Sequence, residues 1–468
     1  MEPYKLYING QWVEPAAGRY IDVENPATRE IIARVPRGDA EDVDRAVAAA
    51  KNAFATWQFT PLAERVALTE KVLNTLKASR DRLIETITSE LGSPVKVSAE
   101  VHTDPFMLEI AHFIEVATNF PYEKRRDTSL VRREPVGVVA GLTPWNFPLE
   151  QIEKKAIPAL LAGNCVVLKP SQFTPLTAYI LTEAIEAAGF PPGVFNLVTG
   201  RGGEVGDALA RHPDVDMLSF TGSTDAGREV GRLALGNIKK LALELGGKSA
   251  SLLIEGGDWE FGIQATLDTC IINGGQTCNA TTRLLVPRQG LERAEQIILD
   301  TIARYRTGDL YDPDVDLGPL SSKKQYDRVR SYIQIGLSEG ARLVTGGLPA
   351  DDTTYYVDPT VFSDVTRDMR IAREEIFGPV LVVIPYDTLD EGIDIANDSI
   401  YGLGGSVFGP EQLAQDAARR IRTGSIYVNR GQWEPLSPFG GYKQSGIGRE
   451  GGIEGFEEFL EIKTIYDR

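Results

Sequence analysis

Between residues 136 and 245, short apolar runs rich in β-branched side chains alternate with stretches whose apolar residues recur at helical spacing. The runs lie at 136–142, 165–168, 194–198, 217–220 and 241–245. The helical patterns lie near 151–162, 175–189, 203–211 and 225–236. Strands that are apolar throughout, separated by helices, predict a parallel sheet covered on both faces. In such open sheets ligands sit beyond the carboxyl ends of the strands, so the polar and Gly-rich residues after each run are the candidates for chemistry.

The flanking regions have other rhythms. Residues 4–35 read as short strands and turns. Asp39 is placed to cap a helix whose Val43, Ala46, Val47, Ala50 and Phe54 share one face, and helical patterns continue to about 118. A second α/β region spans 246–445, with helices near 258–273, 290–305 and 389–397 and strands near 283–287, 342–346 and 379–385. The polar segment 122–135 predicts a protruding hairpin, and 459–465 a final strand. The rhythm of the chain thus changes near 118, at 136 and near 245.

The length of 468 residues exceeds what one core sustains. A composition 42% hydrophobic and 25% charged is that of a globular protein. The net charge of −17 argues against nucleic acid and anionic membranes as partners. The N-terminus has no apolar core behind basic residues, so no secretory signal is expected, and no run suits a bilayer span. Three cysteines, Cys165, Cys270 and Cys278, make no disulfide framework and fit a reducing cytoplasm. Three histidines are too few for a His-rich metal site, which leaves proton transfer to carboxylates and no metal expected.

Three Gly-rich turns follow apolar runs. Gly200 to Gly206 nearly matches the dinucleotide fingerprint, but Val205 stands at the third Gly. The turn from Phe220 to Gly227 ends a strand at Gly222 and opens a helix at Gly227. Its free N–H groups and the Ser223 hydroxyl suit a pyrophosphate. Gly246-Gly247-Lys248-Ser249 resembles a P-loop ending, but Ala242 occupies the first Gly, which excludes an ATPase of that type.

Cys165 and Cys270 lie among apolar residues and read as core filler, whereas Cys278 has glycines and polar residues around it and suits a nucleophile. Glu244 ends an apolar strand, where desolvation would raise it toward a general base, unless Lys248 pairs with it. Asn146, fixed between aromatic and Pro residues, offers an amide for an oxyanion or caps a turn.

Seven segments in order resemble the aldehyde dehydrogenase superfamily: TPWNFP at 143–148, KPSQ at 169–172, FTGSTDAG at 220–227, LELGGK at 243–248, GQTC at 275–278, EEIFGPV at 374–380 and PFGGYKQSG at 438–446. The resemblance covers essentially the whole chain. It implies two α/β domains, a Rossmann-like NAD(P)-binding domain of 1–118 with 136–245 and a catalytic domain of 246–445, with a small β element of 119–135 and 446–468 for oligomerisation into dimers or tetramers. It implies that Cys278 attacks an aldehyde, that Asn146 and the Cys278 N–H hold the oxyanion, that Glu244 activates water, and that Lys155 lies near the nicotinamide end. Thr143, Trp145, Lys169, Ser171, Gln172, Gly222, Ser223, Gly227, Leu245, Glu375 and Phe377 are implied to contact NAD or NADP.

One departure bears on the coenzyme. Gln172 stands where the family usually has Glu, which removes repulsion of a 2′-phosphate and predicts tolerance of NADP. By the same resemblance Phe147, Gln151, Lys154, Thr277, Asn279, Trp433 and Phe439 line the aldehyde tunnel, with Arg430 available to a carboxylate and Glu434 opposing it. The rivals are a CoA-acylating semialdehyde dehydrogenase, disfavoured by the presence of Glu244, and a non-catalytic binding member, disfavoured by the intact Cys278, Glu244 and Asn146. A thiol hydrolase lacks a plausible His partner for Cys278.

Overall fold

The computed structural model describes residues 2–350 and 353–467. The alternating pattern at 136–245 forms the centre of an eight-stranded sheet. Its order is Gly446–Ile447, Lys240–Glu244, Met217–Thr221, Val138–Leu142, Cys165–Lys169, Phe195–Leu197, Leu6–Ile8 and Gln11–Val13. The five middle strands are parallel, and the strands added at both edges run antiparallel. Helix Ala40–Trp57 starts where expected. Asp39 accepts from the Glu41 N–H, and the Asp42 carboxylate accepts from the Asp39 N–H. Val43, Ala46, Val47 and Ala50 are fully buried, and Phe54 is half-buried.

The second region forms a seven-stranded sheet ordered Arg342–Thr345, Thr360–Ser363, Val380–Tyr386, Arg283–Pro287, Ala250–Leu253, Gly405–Phe408 and Tyr427–Val428. Two apolar clusters flank it, one built around Tyr326, Val329 and Phe362 and the other around Trp259, Ile263 and Leu284. Strands Ala250–Leu253, Thr360–Ser363 and Gly405–Phe408 and helices Lys323–Ser338 and Glu411–Arg420 add to the elements expected from sequence. The helical pattern near 203–211 is a π-type turn, Gly202–Gly206, before a short helix, Asp207–Arg211.

Segment 122–135 is a hairpin, Glu123–Arg125 and Ser129–Pro135. Strand Leu460–Tyr466 pairs with it from Leu460↔Pro135 to Tyr466↔Ser129. The chain between 446 and 459 lies elsewhere. Gly446 and Ile447 join the first sheet beside Glu244 and Leu243, so the small sheet proper begins at Leu460.

Helix Pro148–Ala162 positions much of the site. Pro148 starts it, and Gly163 ends it at φ +97°. Nearly every residue is buried, including the charged run Glu153, Lys154 and Lys155. Buried charges require partners, and those partners define the surroundings of the candidate nucleophile.

Candidate active site

The nucleophile sits after a tight reversal. Beyond helix Trp259–Ile271 the chain passes through Asn273, Gly274 and Gly275 at φ +55°, +62° and +71°. A Cβ on Gly275 would lie 2.2 Å from the carbonyl carbon of Gly378, so only glycine permits this backbone-on-backbone contact. Three amides then lock the loop. Asn273 Nδ2 donates to the Asn146 carbonyl at 2.7 Å, Asn146 Nδ2 to the Gln276 carbonyl at 3.0 Å, and Gln276 Nε2 to the Asn273 carbonyl at 2.8 Å. A carboxamide has a second N–H, so Asn146 keeps a donor beyond this bond.

Cys278 follows as a free, half-buried thiol. Burial pushes the thiol well above its ordinary range, Glu150, Glu244 and Glu375 push the same way, and Lys154 opposes them. The resting group is therefore a thiol, and forming the thiolate needs a base. A Cβ on Gly247 would lie 2.4 Å from the Cys278 carbonyl, so the LELGGK and GQTC segments meet at van der Waals range.

Glu244 ends its strand between Thr221 on one side and Gly446 on the other. Its carboxylate is buried, and neither oxygen has a hydrogen-bond partner among the described residues. Burial and the nearby Glu450 raise its pKa well above the carboxylate range, while Lys155, Arg449 and Lys154 lower it. A Cβ on Gly440 would stand 2.6 Å from Glu244 Oε1, so this glycine leaves the carboxylate its space. Lys248 is not its ion-pair partner. The Lys248 ammonium is buried with no hydrogen-bond partner among the described residues, and burial lowers it to about 7. Lys155 is fully buried, bound to Thr221 Oγ1 at 2.6 Å and to Glu450 Oε1 at 2.5 Å.

The expected dinucleotide residues lie at or after the ends of strands Val138–Leu142, Cys165–Lys169, Met217–Thr221 and Lys240–Glu244 and on the loop of Glu375 and Phe377. Glu375 Oε1 accepts from the Gly247 N–H at 2.9 Å, and a Cβ on Gly246 would fall 2.5 Å from its other oxygen. Phe377, at φ +65°, stands edge-on to Trp145 with centroids 5.5 Å apart. Helix Lys323–Ser338 holds this loop, with Gln325 donating to the Phe377 carbonyl and Arg328 to those of Ile376 and Glu375. Leu245 packs where a Cβ on Gly227 would be, and the Phe220 ring where one on Gly222 would be. Ser223 caps helix Thr224–Ala234 through the Ala226 N–H, and its N-terminus is open to solvent. At the far end Lys169 is buried, donates to the Pro170 carbonyl at 2.8 Å, and is lowered to about 8 by burial. Ser171 Oγ accepts from the Phe173 N–H, Gln172 is half-buried, and the buried Thr143 hydroxyl has no partner among the described residues. Glycine-lined backbone, an open helix N-terminus and a free buried hydroxyl suit a dinucleotide.

Among the residues expected to line the aldehyde tunnel, Phe147 packs 4.7 Å from His102 and 6.2 Å from Phe106. Gln151 is buried with its amide oxygen unpaired among the described residues, and Thr277 and Asn279 are half-buried beside Cys278. Phe439 stands under the Lys154 ammonium. Trp433 is 46% exposed, so its loop contributes surface more than wall. Arg430 is exposed, pairs with Asp258 at 3.0 Å and lies over the Phe261 ring at 4.2 Å. The turn at Gly200 is closed by Val205 and Gly38, and its Glu204 pairs with Arg37.

Sequence reasoning passes over Glu450, Asn273, Gln276 and Gly440. Glu450 sits in the run Gly-Arg-Glu-Gly, which has no periodicity to betray burial, and its partner lies 295 positions away. Asn273, before two glycines, carried a usable signal for a left-handed turn. Among the described residues no cluster of His, Cys, Asp or Glu could hold a metal ion, and no helix is long and apolar enough to cross a membrane.

The model of the aldehyde dehydrogenase family matches residues 12–465. A 3-succinoylsemialdehyde-pyridine dehydrogenase of a Pseudomonas species is 44% identical over 99% of both chains. The structure of a cysteine-to-alanine mutant of aldehyde dehydrogenase C from Pseudomonas syringae, complexed with NAD+ and octanal, superposes with a TM-score of 0.97 at 42% identity, over 99% of this chain and 96% of that one. A Mycobacterium tuberculosis aldehyde dehydrogenase complexed with NAD+ also gives 0.97 at 42% identity, over 100% and 99%. With a thiol, an amide and a buried carboxylate gathered at the sheet ends, the chain belongs to the aldehyde dehydrogenase family.

Proposed function

We propose that this protein oxidises an aldehyde to a carboxylic acid with NAD(P)+ through a thioester on Cys278. The observation that carries the reading is the amide lock, which ties Asn146 to the peptide chain just before the nucleophile. Cys278 Sγ gives its proton to a water molecule and bonds to the aldehyde carbon. The oxygen that becomes negative accepts hydrogen bonds from the Asn146 amide and the Cys278 N–H. The nicotinamide, when bound, supplies the acceptor for the hydride that leaves this carbon. The carbon–oxygen double bond re-forms as a thioester. Glu244 takes a proton from water, the hydroxide adds to the thioester carbon, and the Cys278–carbon bond breaks to release the acid.

In this reading Glu375 and Phe377 hold the nicotinamide ribose and ring, with Thr143, Trp145 and Leu245 beside them. Gly222, Ser223 and Gly227 take the pyrophosphate. Lys169, Ser171 and Gln172 take the adenosine end. Lys155 is a positioning residue behind Glu244. Phe147, Gln151, Thr277, Asn279 and Phe439 face the aldehyde, with Lys154 among them and Trp433 at the mouth. Residues 1–118 with 136–245 serve the cofactor, and 246–445 carries the nucleophile. The sheet of the hairpin and Leu460–Tyr466 joins copies into a dimer or tetramer. Its Ile462 and Tyr466 are 62% and 82% exposed, as a surface awaiting a partner would be. The free cysteines fit a cytoplasmic location.

Rapid-mixing kinetics of Glu244→Gln test the central step. An initial burst of reduced coenzyme should survive while steady turnover falls by roughly a hundredfold or more. Unchanged steady turnover would remove Glu244 as the base. Gln172 is uncharged, so kcat/KM with NADP should lie within about tenfold of that with NAD. Strict NAD dependence would defeat the expectation that Gln172 lets NADP be tolerated.

A further inference from the structure

The reaction above makes no use of Glu150 or Glu109, and Lys154 has entered it only as part of the wall. Yet these charges lie against the site. Lys154 Nζ sits 2.6 Å from Glu150 Oε1 and 3.4 Å from Glu109 Oε1. It also lies 5.5 Å from the Phe439 ring and 5.9 Å from the Phe106 ring. Phe439 precedes Gly440, which bears on the Glu244 carboxylate. Phe106 packs edge-on against Phe147, which follows Asn146. The cluster therefore shares its walls with both the base and the oxyanion donor. Glu150 and Lys154 each act on the Cys278 thiol, in opposite directions.

Acids outnumber bases in the cluster. Behind Glu109 lies Glu153, fully buried and facing it. Burial and the neighbouring Glu109 raise Glu153, and burial raises Glu109 as well. Three carboxyl groups, Glu109, Glu150 and Glu153, thus surround the single Lys154 ammonium. Glu150 is the member that reaches outward, with its side chain 17% exposed against 5% for Lys154 and 3% for Glu109. An incoming carboxylate would meet a cation already shared by two acids. The cation on the Trp433 loop, Arg430, pairs with Asp258 at the exposed surface and lies over the Phe261 ring. An incoming positive group would instead meet the partly exposed Glu150 carboxylate, with acids in excess behind it.

We propose that the Glu150–Lys154–Glu109 cluster reads the non-reacting end of the aldehyde, and that the substrate carries a positive charge there and no carboxylate. This rests on the aldehyde-oxidising reading. Three aldehydes that differ only at the tip test it: a butanal ending in trimethylammonium, its uncharged tert-butyl isostere and the matching butanal ending in carboxylate. In the native enzyme kcat/KM should fall in that order, with the two charged tips separated by roughly tenfold or more, and Glu150→Gln should shrink that ratio by about tenfold. Butyltrimethylammonium should also compete with the uncharged aldehyde more strongly than pentanoate does. That readout uses the native protein and stands if the variant fails to fold. A preference for the carboxylate, or a flat charge series with the tert-butyl aldehyde turned over, overturns the inference and leaves the oxidation reading intact. No oxidation of any of the three overturns that reading, and the inference with it.

Discussion

Lys154 and Lys155 are neighbours on one buried helix, and they serve opposite surroundings. Lys155 is sealed: fully buried, with a carboxylate and a hydroxyl at hydrogen-bond range. Lys154 is shared between two carboxylates and lies over two aromatic rings. A sealed pair fixes a geometry, and here it fixes the field around Glu244. A shared cation with surplus acid around it leaves charge to be answered by something that enters. A single residue step, about 100° around the helix, thus separates a region that sets the chemistry from a region that meets the substrate.

Replacing each lysine by Met should expose the difference. Lys155→Met leaves Glu450 buried and uncompensated, and should cost about 3–5 kcal/mol in denaturant unfolding. Lys154→Met should cost less, about 1–2 kcal/mol, because Glu109 can share a proton with Glu153. Equal losses would break the comparison. The pH profile sharpens it with a smaller effect. Glu244 must be ionised to take a proton from water, and its pKa lies well above the carboxylate range, so kcat should rise with pH through a limb displaced upward. Lys155 lowers Glu244 more than Lys154 does. The acid limb should therefore move up further in Lys155→Met than in Lys154→Met, as pH–rate profiles of kcat would read. A larger move in Lys154→Met would reverse the assignment of roles.

The two halves of the fold differed in how openly their sequence declared them. Strands such as Val138–Leu142 and Cys165–Lys169 are buried on both faces, so they appear as unbroken apolar runs. Ala250–Leu253 and Gly405–Phe408 are buried just as deeply, but they are four residues long and begin with small or polar side chains. Helix Lys323–Ser338 did carry a signal, since Tyr326, Val329, Ile333 and Gly336 fall on one face. Its charged neighbours mask that stripe, and with it the hold of Gln325 and Arg328 on the Glu375 loop. At the site, Cys278, Glu244 and Asn146 were legible because each reactive type sits in an unusual local setting. The cluster around Lys154 was not, because Glu109 and Glu153 meet only through the packing of helix Asp104–Asn119 on helix Pro148–Ala162.

The contact between Gly275 and Gly378 has a mechanical consequence. Two lengths of bare main chain touch there, one leading to the sulfur and the other following the loop of Glu375 and Phe377. No side chain lies between them to flex and absorb a displacement. A shift in one strip must push the other, so the depth of the sulfur and the seat of the ribose are gauged against each other like two parts cut to one template.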